Sequence, residues 1–122
     1  MNSENIKILI IEENESLVGL FRQLLIMNDF TNLTIRHPEI AESALKNEAF
    51  DLVILDLELD SEAEKFEIIY HISEESKIII LSFIDSIKHE NDIRKKLARV
   101  DAYVRKFEFV ENLIPCVKKV CG

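Results

Sequence analysis

The chain has 122 residues, 23 acidic and 15 basic side chains for a formal net charge of −8, and 48% hydrophobic residues. This length suits one domain, since a single core needs roughly 100–200 residues, and a globule of this size buries about two-thirds of its unfolded surface without disulfide or metal staples. Two glycines, two prolines and the apolar content exclude a disordered or collagen-like chain. No apolar run reaches the roughly 18 residues of a membrane span. The start, Met1-Asn2-Ser3-Glu4-Asn5, is too polar for a secretory signal, and the charge disfavours non-specific binding of nucleic acid or anionic lipid by the chain as a whole. The expectation is a cytoplasmic protein with no membrane contact and no direct nucleic-acid binding.

In chain order, the run Ile8-Leu9-Ile10-Ile11 predicts a strand over 6–12 that is buried on both faces, as in a parallel sheet. Asn14 then caps a helix in which Leu17, Leu20, Phe21, Leu24 and Leu25 recur at helical spacing. A weak alternation over 31–36 reads as a shorter second strand. Pro38 opens the second helix, where a missing N–H is tolerated, and Ile40, Ala41, Ala44 and Leu45 form its stripe. Leu52-Val53-Ile54-Leu55 marks a strand over 51–57, and Phe66, Ile69 and Tyr70 mark one face of a third helix. Ile78-Ile79-Ile80-Leu81 marks a strand over 77–83. Asp85 or Ser86 caps a fourth helix, thinly striped by Ile93 and Leu97. A short fifth strand over 102–105 leads into a last helix with Val110, Leu113, Ile114, Val117 and Val120, which Pro115 should kink by removing one backbone bond.

Strict alternation of strands and helices predicts an α/β fold: a doubly wound, five-stranded parallel sheet with five helices in a single domain spanning 1–122. Cys116 and Cys121 match no zinc or redox spacing and read as reduced thiols. His37, His71 and His89 share no metal spacing, and with Gly19 and Gly122 as the only glycines there is no phosphate-cradling loop.

In such a sheet right-handed crossovers bring the C-terminal strand ends to one edge, where ligands bind. Glu12-Glu13 end the first strand, Asp56 the third, Ser82 the fourth and Lys106 the fifth. Each has an ordinary reading alone: a solvated strand end, a loop starter, a turn hydroxyl, a surface lysine. Together they converge three carboxylates, a hydroxyl and an ammonium. Two carboxylates about 4 Å apart repel by roughly 4 kcal/mol at an effective dielectric of 20, so the cluster invites a counter-ion. A few hard oxygen ligands with room for water and phosphate suit Mg2+. A carboxylate beside such an ion and a lysine can attack phosphorus to give an aspartyl-phosphate.

The stretches Ile8-Leu9-Ile10-Ile11-Glu12-Glu13-Asn14, Asp51-Leu52-Val53-Ile54-Leu55-Asp56-Leu57, Ile79-Ile80-Leu81-Ser82 and Asp101-Ala102-Tyr103-Val104-Arg105-Lys106 together resemble the receiver domain of two-component response regulators. The resemblance runs from Lys7 to about Val120. It implies a flavodoxin-like sheet with strand order 2-1-3-4-5 and phosphorylation at Asp56 by a histidine kinase or phosphotransfer protein. It further implies Mg2+ held by Glu12, Glu13, Asp56 and the backbone carbonyl of Glu58. Ser82 would be the switch hydroxyl, Tyr103 the switch aromatic and Lys106 the phosphate-binding lysine. A downstream partner would dock on the face of helix four, strand five and helix five.

The sequence departs from the family at several points. Glu13 stands where an aspartate is usual, and the loop after Asp56 contains Asp60 and Ser61-Glu62-Ala63-Glu64-Lys65 with no glycine. Phe83 is bulky where a small residue is usual and is expected to shield the aspartyl-phosphate, while Phe107 replaces a proline after Lys106 and should leave a trans bond. These departures keep open a pseudo-receiver, an interaction module that signals without phosphate. The stretch Asp56-Leu57-Glu58-Leu59-Asp60 superficially resembles a phosphohydrolase pair, but its spacing is wrong and the chain leaves no cap.

The charge divides unevenly. Residues 1–87 hold 18 acids and 6 bases, whereas 88–106 hold 7 bases and 3 acids. Lys95 and Lys96 belong to that basic stretch, whose helix is expected to bind an acidic partner.

Overall fold

The computed structural model describes residues 2–57, 67–82 and 99–122, leaving out the side chains of Leu57 and Phe107. The expected fourth helix, Phe66, Glu58, the acidic loop 60–65, Phe83, Lys95 and Lys96 lie outside the described residues.

Five strands, β1 (Ile8–Ile11), β2 (Leu33–Arg36), β3 (Leu52–Leu57), β4 (Lys77–Ser82) and β5 (Ala102–Arg105), form one sheet in the order β2-β1-β3-β4-β5. Every pairing is parallel. The strand order reverses between β1 and β3, the switch point at which open α/β sheets bind ligands. The apolar runs are explained by burial on both faces. Ile8, Ile10, Leu52, Ile54, Ile79, Leu81 and Val104 belong to one core layer, and Leu9, Ile11, Val53, Leu55, Ile78 and Ile80 to the other. Edge strand β2 is only half-buried, which is why its sequence signal was weak.

Helix α1 (Glu15–Met27) is capped by Asn14, whose Oδ1 accepts the N–H groups of Ser16 at 3.0 Å and Leu17 at 3.3 Å. It stops where Asp29 turns to φ 70 and the Phe30 N–H returns to the Leu25 carbonyl at 3.0 Å. Helix α2 (Pro38–Asn47) opens with Pro38 as expected, but its cap is His37, whose Nδ1 accepts the Glu39 N–H at 3.2 Å. The C-terminal helix (Phe109–Cys121) follows a 3-10 turn, Lys106–Glu108, and continues unbroken across Pro115. No cis peptide bond occurs among the described residues.

The helical stripes need correction at their edges. Phe21 and Leu25 of α1, Ala41 of α2, and Leu113, Ile114 and Val117 of the C-terminal helix are buried. Leu20, Ile40, Tyr70 and Val110 are exposed instead. Leu20 and Ile40 each lie one residue, about 100° of helix rotation, from the buried centre of their stripe, enough to leave the covered face. Tyr70 falls in the turn after the helical residues 67–69, where Ile68, Ile69 and Ile72 are buried. Cys116 and Cys121 are free, half-buried thiols. Among the described residues no helix is long and apolar enough to cross a membrane.

Candidate functional site

Side chains alternate along a strand, so each core layer is a set of every-other residues. Three of these sets end in a charge. Ile8 and Ile10 are followed by Glu12, Leu52 and Ile54 by Asp56, and Ala102 and Val104 by Lys106. The same periodicity that buries the aliphatic residues therefore carries the polar ones into the protein. Glu12, Asp56 and Lys106 are 3%, 1% and 3% exposed. Ser82, also buried, continues Ile78 and Ile80 on the opposite layer, against which the half-buried Tyr103 packs. Ser82 ends β4 beside the end of β3, one register step beyond the Leu81–Asp56 pairing. Glu13, the next residue after Glu12, is exposed.

The Lys106 ammonium is the centre of the charged group. It forms an ion pair with Asp56 Oδ2 and lies 3.6 Å from Glu12 Oε2. Glu12 turns its other oxygen, Oε1, to the chain, accepting the N–H groups of Glu13 at 3.0 Å and Asn14 at 2.9 Å. Burial first, and then the neighbouring Glu12 carboxylate, push the Asp56 carboxyl up to about 8 against the opposing pull of Lys106. Two buried carboxyl groups share one ammonium here, so both cannot be ionised together without further positive charge.

Two buried oxygens mark that need. Glu12 Oε2 and Asp56 Oδ1 have no hydrogen-bond partner, although buried acceptors are almost always satisfied. They fit a hard divalent cation. Among the described residues no three His, Cys, Asp or Glu side chains group closely enough to form a closed metal cage. Mg2+ does not need one, since it commonly takes one or two carboxylates and completes its shell with water and phosphate oxygens. Sequence reasoning picked out Glu12 as a strand-end acid but missed its contact with Lys106 and its link to Asn14. The every-other-residue pattern carried that signal.

No protein-family model matches the sequence, and neither does any curated protein. Solved structures do. The response regulator TrrA from Thermotoga maritima, in complex with Mg2+-BeF, is 28% identical over 94% of this chain and 98% of its own, with a TM-score of 0.68. The structure of histidine kinase ThkA in complex with TrrA contains a chain 24% identical over 96% of this chain and 99% of its own, with a TM-score of 0.76. The chain has the receiver-domain fold. A pilus assembly-related protein from Burkholderia pseudomallei shares it at 16% identity, over 99% of this chain and 92% of its own, with a TM-score of 0.75. The expected strand order and doubly wound sheet are those observed.

Proposed function

We propose that the chain is the phosphoacceptor domain of a two-component system, with Asp56 as the acceptor. The observation that carries this reading is the buried Glu12–Lys106–Asp56 group at the switch point, with two carboxylate oxygens that accept no hydrogen bond. Folding alone has no need of such a group, since apolar residues of similar size would be as stable or more so. The kinase complex and the Mg2+-BeF complex among the structural neighbours point the same way.

In the reaction a carboxylate oxygen of Asp56 attacks phosphorus. The P–N bond of a phosphohistidine breaks, and the imidazole leaves with the bonding pair and takes up a proton. Glu12 and Asp56 would hold Mg2+ through the oxygens that accept no hydrogen bond, with Glu13 and the Glu58 carbonyl as further ligands implied by the resemblance. Bound there, the ion neutralises charge on the phosphoryl oxygens. Lys106, already on Asp56, is placed to pair with the incoming phosphoryl group. Ser82 and Tyr103 respond to the new charge, and the domain serves as acceptor and switch rather than as an enzyme that turns over.

Incubation with acetyl phosphate and Mg2+ should add one phosphoryl group, visible by intact mass, and Asp56→Asn should abolish it. A wild-type chain that gains nothing, or a mutant that still gains the group, overturns the proposal and leaves the phosphate-independent module.

A further inference from the structure

The sheet has an open side at β2, which pairs only with β1. Along a parallel pair, every second residue turns its peptide groups to the neighbour and the residues between turn theirs away. The Ile8 N–H donates to the Asn32 carbonyl at 3.0 Å, and the Glu12 N–H to the Arg36 carbonyl at 3.2 Å. Asn32, Thr34 and Arg36 therefore face β1, while Leu33 and Ile35 present their N–H and C=O groups to the outside. One of these outward groups is covered by the strand itself, since the Ile35 carbonyl accepts Arg36 Nη1 at 2.8 Å. Arg36 is exposed and forms no ion pair among the described residues. Its guanidinium rests on a carbonyl that an added strand would use.

The side chains of this edge divide by face. Leu33 and Ile35 pack against the core layer shared with α1 and the C-terminal helix, whereas Thr34 and Arg36 line a groove of about 270 Å3 against α2. Ile40, Ser43 and Asn47 form its other wall, with Ile40 53% exposed. Glu48, which also lines the groove, is already engaged by Lys7 at 3.0 Å. We propose that β2 is a docking edge for an extended segment of another protein, which adds as a sixth strand. Its carboxylate takes Arg36 on the α2 side, and its alternate apolar side chains lie beside Leu33 and Ile35. An extended chain is the occupant that fits, because outward peptide groups along a strand are a template for another strand. A carboxylate fits because it accepts two parallel N–H bonds from a guanidinium, a stronger pairing than the single neutral carbonyl that Arg36 now holds. A second copy of this chain does not fit. Phe30 to Arg36 contains no carboxylate, so β2 paired with itself leaves both guanidinium groups unanswered. The docking edge stands whether or not Asp56 accepts phosphate.

The probe is a capped heptapeptide of alternating valine and glutamate, with a lysine-for-glutamate peptide as its control. Amide hydrogen exchange of the whole chain is followed by NMR in about 0.15 M salt, where charges beyond about 8 Å are screened and the net −8 of the chain counts little. The glutamate peptide should slow exchange at the Leu33 and Ile35 N–H groups by roughly tenfold or more, and leave Thr34 and Arg36, already facing β1, unchanged. The lysine peptide should bind roughly tenfold more weakly. Arg36→Gln, whose side-chain amide can still cover the Ile35 carbonyl, should erase that preference. Unchanged exchange at Leu33 and Ile35 with the glutamate peptide at saturation overturns the docking edge. Equal binding of the two peptides, or an undiminished preference in Arg36→Gln, overturns the acidic partner. Protection of the same two groups that rises with protein concentration and needs no peptide makes a second copy the occupant, and overturns the proposal as well.

Discussion

The two edges of one sheet use the same residue types for opposite ends. At the N-terminal edge, Asp51 Oδ2 accepts the Lys7 N–H and Asp101 Oδ2 accepts the Ile78 N–H, each at 2.8 Å. Lys77 lies 4.0 Å from Asp101, and Lys7 is 3.0 Å from Glu48, all in partly exposed positions. Those carboxylates cap strand starts, and water shares the rest of their charge. At the C-terminal edge, Asp56 and Glu12 are buried, one lysine serves both, and two oxygens accept no hydrogen bond. An aspartate and a lysine at a strand end thus mean little by type. What distinguishes a site from a cap is whether the local backbone and solvent satisfy the charge.

That contrast can be broken most directly at Lys106. Lys106→Met strands two carboxylates in the interior and should cost about 3 kcal/mol in urea unfolding at pH 8. Asp101→Ala should cost about 1 kcal/mol, the scale of one hydrogen bond. The reverse ranking would erase the distinction between the edges.

Asp56→Asn sharpens it with the opposite sign. The folded Asp56 carboxyl sits at about 8, above its ordinary value of 3.8. Between those values the native state holds a proton that the unfolded chain has released. The stability of the metal-free protein is therefore full below the lower value and is lost as pH rises through the upper one. Replacing the carboxylate should stabilise the metal-free chain at pH 8 by roughly 1–2 kcal/mol and flatten its pH dependence between 5 and 8. A mutant less stable than wild type at pH 8 would contradict the unsatisfied state of that edge. The smallest effect belongs to the exposed Lys7–Glu48 pair, where Glu48→Gln should shift stability by less than about 0.5 kcal/mol in the same unfolding measurement.

The strands were legible because residues 8–11, 52–55 and 78–81 are apolar without interruption, a pattern that burial on both faces demands and a solvated sheet would not tolerate. Helix centres were legible for a similar reason, but Leu20, Ile40 and Val110 show that spacing finds the direction of a stripe better than its width. Val110 and Leu20 are left outside by a groove between α1 and the C-terminal helix, a gap that no single-helix periodicity encodes. In the site, residue types at the strand ends marked Glu12, Asp56, Ser82 and Lys106. The pairing of Lys106 with Glu12 as well as Asp56 depended on strand order and on register. The exposed position of Glu13 lay beyond the strand pattern, since β1 ends at Ile11 and Glu13 falls in the bend before Asn14.

The two half-buried cysteines bear on how the molecule can be watched. The chain has no tryptophan, so intrinsic indole fluorescence cannot report its motions. Cys116 and Cys121 lie on the C-terminal helix, and burial pushes both thiols up from their ordinary value. Since alkylating reagents attack the thiolate, both sites should label slowly while that helix is docked. Their modification rate becomes a clock for its detachment, built into the native sequence.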